Sequence, residues 1–270
     1  MVFQSPSEIC FNITENFPVY WYGIIVAFAC FMGVFVSYKV YKKFYPYSDY
    51  NKIWDISAWF LLFGIIGARL YFCMLNPSYY FHHPIEFLNF RGGGLSIHGG
   101  LAAGIIVLIY FARKYRLGIL KLLDAFACGT AFAQSIGRWG NFFNSEAFGY
   151  PTNLPWKLFI PENHRPDLYS NYEYFHPTFL YESILDFCSF FILCTIIKKT
   201  SKKYQGVTFC TYLIFYALIR IFVESFRIDS ALNVGSIPIA QIVSLIMLIT
   251  GVTGIILITK KNNATSQTLH

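Results

Sequence analysis

The sequence predicts an all-α integral membrane protein of about seven transmembrane helices, N-terminus outside and C-terminus cytoplasmic. Three observations predict it. Apolar residues make up 56% of the 270 residues and charged residues only 13%, where a soluble domain carries roughly 25% charged. Seven apolar runs each approach the ~20 residues that cross ~30 Å of hydrocarbon. The basic residues then alternate between dense and sparse from one connection to the next. The 21 Lys+Arg and 14 Asp+Glu could not cover a soluble globule this apolar, and disorder has the opposite composition.

The runs cover approximately 19–41, 53–75, 95–112, 119–137, 178–197, 206–226 and 238–259. Ahead of the first, residues 1–18 carry Glu8 and Glu15 and no Lys or Arg, so the basic n-region of a signal peptide is missing. One side of the predicted membrane holds Lys39, Lys42, Lys43 and Lys52, then Arg113, Lys114, Arg116 and Lys121. It also holds Lys198, Lys199, Lys202, Lys203, Lys260 and Lys261. The other side holds Arg91, Arg138, Lys157, Arg165 and Arg227. A count of 14 against 5 places the dense side in the cytoplasm. The net charge of +7 is thereby explained as topology, with no nucleic-acid partner. The two long outer connections, 76–94 and 138–177, are rich in Pro, Tyr, His and Asn and predict an extracytoplasmic cap on a single polytopic domain, 1–270. The seven cysteines show no CxxC and fall mostly inside apolar runs, as packing residues do.

With that topology the polar strings sort by depth. Arg69 lies near the outer end of the second span, and Gly92-Gly93-Gly94-Leu95-Ser96-Ile97-His98-Gly99-Gly100 opens the third. Gly137 to Glu146 follows the fourth, His176 to Glu182 opens the fifth, and Arg220 to Arg227 closes the sixth. All are expected at one leaflet. Arg220, Glu224 and Arg227 are spaced to share a helix face, where the carboxylate can hold two guanidinium forks. The alternatives are a structural ion pair and an anion clamp, since intramembrane arginines face a partner or a cavity and arginine matches phosphate. Arg138 sits among Gly137, Gly140, Asn141 and Asn144, read either as ordinary turn residues or as a ligand loop. His98 is a general base or a hydrogen-bonded structural residue. Glu182 and Asp186, four apart, either bind a proton or ion or, for Glu182, pair with an arginine. Tyr22 and Tyr216 have interfacial-belt aromatics as their default.

These strings resemble bacterial prolipoprotein diacylglyceryl transferases. The resemblance lies in Gly93 to Gly100, in Gly137 to Gly149 (GRWGNFFNSEAFG), in His176-Pro177 with Leu180-Tyr181-Glu182, and in Arg220 to Arg227. Gln241, Ser244, Trp21-Tyr22-Gly23 and Gly67 to Tyr71 match as well. Phe179, Ile228 and Ala240 depart from the family pattern without removing a charged site residue.

The resemblance implies a multi-pass enzyme of the bacterial inner membrane with its site toward the outer leaflet. Such an enzyme moves the diacylglyceryl group of phosphatidylglycerol to the lipobox cysteine thiol of a preprolipoprotein. A thioether forms and glycerol-1-phosphate leaves, with no metal and no cofactor. It implies Arg138 and Arg220 as the essential arginines and His98 as the family histidine. Around them the candidate substrate-binding residues are Tyr22, Arg69, Asn141, Asn144, Glu146, Gly149, Glu182, Tyr216, Glu224 and Arg227. The reacting sulfur belongs to the peptide, which leaves the chain's own cysteines without a catalytic role. The competing class is a transporter or binding protein for anionic lipid or another phosphate-bearing ligand. It would favour internal repeats and a midplane site, and the sequence has neither.

Overall fold

The computed structural model describes residues 2–15, 17–90, 93–228, 233–234 and 237–267. Arg91 and Gly92, at the start of the glycine-rich string, lie outside the described residues. The chain begins with an antiparallel hairpin of β1 (Ile9–Thr14) and β2 (Phe17–Tyr20). Helices α1 (Trp21–Phe44) and α2 (Lys52–Leu75) follow. Next come the short α3 (Pro77–His82), then α4 (Ile97–Lys114) and α5 (Ile119–Phe143). The strands β3 (Leu158–Phe159) and β4 (Tyr174–Phe175) pair before α6 (Thr178–Thr200) and α7 (Val207–Glu224). A last two-residue pair, β5 (Asn233–Val234) and β6 (Ile237–Pro238), leads into α8 (Ile239–Gln267). Among the described residues, seven helices, α1, α2, α4, α5, α6, α7 and α8, are long and apolar enough to cross a membrane. The expected seven-span, mostly helical class is therefore what the chain adopts.

Several boundaries differ from expectation, the last helix running to Gln267 instead of 259, and two of them bear on the polar strings. Helix α5 runs to Phe143 instead of ending at 137, so Arg138 and Asn141 are helical residues and not part of an outer loop. The cause is tertiary. Trp139 meets the rings of Phe142 at 6.0 Å and Phe179 at 5.5 Å, and this packing carries the helix through Gly137 and Gly140 despite their poor propensity. Helix α7 in turn ends at Glu224, so Arg227 does not continue the helical face of Arg220 and Glu224. It forms a bridge to Gly149 instead.

The chain divides into two compact units. The first joins Met1–Val40 to Leu123–His270. With little hydrophobic force between helices in lipid, close packing of small residues takes over. On α1 and α5, a Cβ at Gly33 would lie 2.9 Å from the Ala133 Cβ, and one at Gly129 would lie 2.1 Å from the Ser37 hydroxyl. Helices α7 and α8 repeat the device, with Gly251 against the Cys210 carbonyl and Gly254 against its sulfur. Between α5 and α6 the Ser183 hydroxyl donates to the Ser135 carbonyl at 2.6 Å.

Asp124 of α5, fully buried, accepts the backbone N–H of Gly206 at 2.7 Å and of Phe209 at 2.9 Å. A carboxylate borrowed from α5 thus closes the N-terminus of α7. The stretch after α5 has its own core of Phe142, Phe148, Leu158, Ile160, Phe175 and Phe179. Phe3 is stitched to it by main-chain bonds with Lys157 and Phe159.

The second unit is Tyr41–Leu122. Helices α2 and α4 approach through glycines here too. A Cβ on Gly67 would be 2.7 Å from the Gly99 carbonyl, and one on Gly99 would be 2.3 Å from that of Gly67. None of the seven cysteines forms a disulfide, and Cys73, Cys128 and Cys210 are buried.

Candidate active site

In the first unit, the end of α5, the start of α6 and the end of α7 bring four charged side chains together. Glu182 is the hub, with its side chain 3% exposed. Its Oε1 pairs with Arg138 Nη2, and its Oε2 lies 3.8 Å from Arg220 Nη1. Arg220 Nη2 in turn lies 2.7 Å from Glu224 Oε2. Glu182 therefore pairs with an arginine, indeed with two. The cluster is formally neutral, two guanidinium groups against two carboxylates.

Neutralising the fixed charge does not exhaust the donors. A guanidinium offers five N–H groups, and only one nitrogen of Arg138 is engaged by a carboxylate among the described residues. The side chains of Arg138 and Arg220 are 21% and 16% exposed, so both keep some accessible surface while Glu182 engages each of them. Such a pair is positioned to take a tetrahedral anion.

The neighbouring segments are built to close ranks around this cluster. Ser145 and Ala147 take left-handed φ values of 52° and 55° as the chain leaves α5. The Thr178 hydroxyl then donates to the Ala147 carbonyl. Gly149 donates its N–H to the His176 carbonyl at 2.9 Å, and Tyr150 donates to Phe226 at 2.8 Å. A Cβ at Gly149 would sit 2.6 Å from the Phe226 carbonyl, so this approach demands glycine.

His176 Nδ1 is 3.1 Å from the Tyr181 hydroxyl, which also accepts from Trp156. Burial lowers the His176 pKa below its ordinary value. A histidine depressed in the folded state contributes stability above its unfolded pKa of about 6.5 that is lost as pH falls further. The hydrogen-exchange protection of residues 147–151 and 174–178, taken relative to the intrinsic exchange rate at each pH, should therefore fall between pH 7 and pH 5, and His176→Phe should flatten that dependence.

The other predicted residues of this unit take varied positions. Tyr22 is exposed, and its ring packs on the face that Gly140 leaves open, 2.9 Å from where a Cβ would stand. Asn141 is half-buried on α5 and its carbonyl accepts the Glu146 N–H. The Asn144 amide donates to Glu146, which is exposed. Tyr216 is half-buried, 6.2 Å from the Tyr212 ring.

Against the same helices lies an apolar groove of about 490 Å³, lined chiefly by Ile24, Phe28, Phe132, Trp139, Ile184 and Phe187. Its wall on α5 includes the residue next to Arg138, and its wall on α6 includes Ser183, next to Glu182.

The second unit carries the remaining candidates. Among the described residues, Arg69, 3% exposed, donates to main-chain carbonyls: Phe87 at 3.2 Å, Gly93 at 2.6 Å, Gly94 at 3.0 Å, and Glu86. It ties the connection after α3 to the end of α2. Gly93 and Gly94 have φ of 82° and 75°, the left-handed turn that presents both carbonyls to the guanidinium. His98 is exposed in the first turn of α4, its ring 6.4 Å from that of Tyr71.

The family model described as prolipoprotein diacylglyceryl transferase matches residues 8–257. The chain belongs to this family. Relatives named phosphatidylglycerol–prolipoprotein diacylglyceryl transferase include one from Synechococcus elongatus, 42% identical over 258 residues, covering 94% of this chain and 88% of the relative. The protein of that name from Synechocystis is 40% identical with 94% and 90% covered, and that from Thermotoga maritima is 39% identical with 90% and 82% covered. With seven apolar helices long enough to span a bilayer among its described residues, the chain is a multi-pass membrane protein. Asp124 was missed by sequence reasoning about this diacylglyceryl transferase family member. An acidic residue inside an apolar run was the available signal.

Proposed function

We propose that this chain transfers the diacylglyceryl group of phosphatidylglycerol to the cysteine thiol of a preprolipoprotein lipobox, with thioether formation and release of glycerol-1-phosphate. The observation that carries this reading is that α5 and α6 bear both the Arg138–Glu182–Arg220–Glu224 cluster and, through neighbouring residues such as Trp139 and Ser183, an apolar groove. A pair of arginines and an apolar trough on the same helices suit an amphiphile with a phosphate head and acyl chains.

Arg138 and Arg220 hold the phosphate, and the negative charge that grows on the leaving oxygen strengthens both contacts in the transition state. Glu182 keeps the two forks at a fixed separation, and Glu224 anchors Arg220 from its other edge. Asn141, Asn144, Glu146 and Arg227 orient the glycerol headgroup. Gly149 lets its segment approach closely, and Tyr22 and Tyr216 shape the walls. In the second unit, Arg69 fixes the glycine-rich segment that leads to His98, the histidine expected from the family. The incoming thiol must lose its proton to become the nucleophile. The excess of Lys and Arg on alternate connections supports an N-out, C-in orientation in the bacterial inner membrane, with the site toward the outer leaflet.

The direct test incubates the purified protein with phosphatidylglycerol vesicles and a lipobox peptide. The expected result is a peptide mass increase of one diacylglyceryl group with equimolar glycerol-1-phosphate. Movement of phosphatidylglycerol between leaflets without that product would overturn the reading in favour of a lipid transporter.

A further inference from the structure

Asp186 lies one helical turn beyond Glu182 on α6, is 3% exposed, and its Oδ2 has no hydrogen-bond partner among the described residues. An unpartnered carboxylate oxygen buried in a membrane span is expensive, and an ionisable residue at such a depth marks function by default. The charged and titratable groups facing it are Arg138 from α5, Glu182 from its own helix, and Tyr212 from α7 with Tyr216 beyond. Tyr212 gives its hydroxyl proton to Gln134 at 3.2 Å and not to Asp186. Glu182 and Glu224 are each held by arginine. Asp186 thus keeps, among the described residues, a buried carboxylate oxygen available to accept.

Its depth matches a requirement of the chemistry. Four residues at about 1.5 Å each place Asp186 about 6 Å further into the span than Glu182. Displacement at a saturated carbon brings the nucleophile in opposite the leaving oxygen. With the phosphate on Arg138 and Arg220 at the end of the span, the sulfur enters from the inner side of the reacting carbon. That is the level of Asp186.

We propose that Asp186 is the proton acceptor for the substrate thiol. The assignment rests on the transferase reading above and adds the base to it. The S–H proton passes to Oδ2, and the sulfur lone pair forms the S–C bond to the glyceryl carbon. The C–O bond breaks with its electron pair going to the phosphate oxygen. The proton then leaves Asp186 for the departing glycerol phosphate, which restores the carboxylate. No further reactant is consumed.

The test uses the full chain in phosphatidylglycerol vesicles with a lipobox peptide, across pH 6 to 9.5. Asp186→Asn should lose roughly 100-fold or more in kcat at pH 7, with KM for phosphatidylglycerol within threefold of wild type. The deficit should shrink below about tenfold as the peptide thiol, with a pKa of about 8.5, ionises by itself. His98→Gln should turn over more slowly while keeping the wild-type shape of its pH profile. Asp186→Asn that retains a third of wild-type kcat at pH 7 would overturn the assignment, as would a loss equal at every pH or a pH profile flattened in His98→Gln. Should Asp186→Asn fail to fold, Asp186→Glu carries the test, and an unshifted pH profile overturns the assignment. Absence of diacylglyceryl product with the wild-type chain is the separate outcome that removes the transferase reading itself.

Discussion

Arg138→Lys and Arg220→Lys should each lower kcat/KM for phosphatidylglycerol by roughly 100- to 1,000-fold, the scale seen when one transition-state donor is removed. Charge is conserved in both, so the loss isolates geometry. A guanidinium can give one nitrogen to Glu182 and still direct a second N–H pair at an anion, whereas an ammonium is a single point of positive charge. The two variants should differ in stability. Arg138→Lys leaves Glu182 beside Arg220, but Arg220→Lys disturbs the partners of both buried carboxylates. Glutamine at either position goes further, because breaking a buried pair strands a charge at a cost of about 3–5 kcal/mol. Initial rates in vesicles of graded phosphatidylglycerol content separate KM from kcat, and thermal unfolding in detergent reports stability. Near-normal turnover by either lysine variant would remove the clamp from the mechanism.

The parts of this arrangement that sequence could reveal were those encoded by composition and local spacing. Hydrocarbon thickness limits span length so tightly that α2 was expected at 53–75 and is found at Lys52–Leu75. Glu182 could be foreseen as a partner for arginine because an acid near the end of an apolar run needs one. Its hold on two arginines could not, since α5, α6 and α7 meet only through tertiary packing. The same limit explains the misplaced end of α5, where aromatic contacts to Phe179 outweigh glycine propensity. The face shared by Arg220 and Glu224 follows from helical spacing, but the exit of Arg227 toward Gly149 depends on a segment nearly eighty residues away. Arg69 shows the converse. Its type and depth suggest an anion site, and only the fold reveals four main-chain carbonyls around its guanidinium.

Asp124 leads to the largest expected effect on stability. Its two carboxylate oxygens accept from Gly206 and Phe209, which are among the N–H groups that a helix N-terminus leaves without partners. The carboxylate also faces the positive end of the α7 dipole. Asp124→Ala removes both bonds at a fully buried position, where water cannot readily replace them. At about 1.5–3 kcal/mol for a bond to a charged group, reduced by alternative partners within the membrane, the loss should total about 3 kcal/mol. For a chain of this size that is an apparent midpoint lower by about 6–12 °C. Asp124→Asn keeps one acceptor oxygen and should recover a substantial part.

Catalysis should respond differently. Arg220 lies fourteen residues along α7 from Gly206, about 21 Å from the capped end, and its local pairing with Glu182 and Glu224 is independent of Asp124. At temperatures well below the midpoint, Asp124→Ala should therefore retain kcat/KM within about tenfold, while losing activity on heating in step with unfolding. A midpoint unchanged within 1 °C would show that α7 does not depend on this cap. A loss of kcat/KM beyond 100-fold in the cold, with the helix content intact, would instead show that the cap sets the register of α7 and hence the position of Arg220.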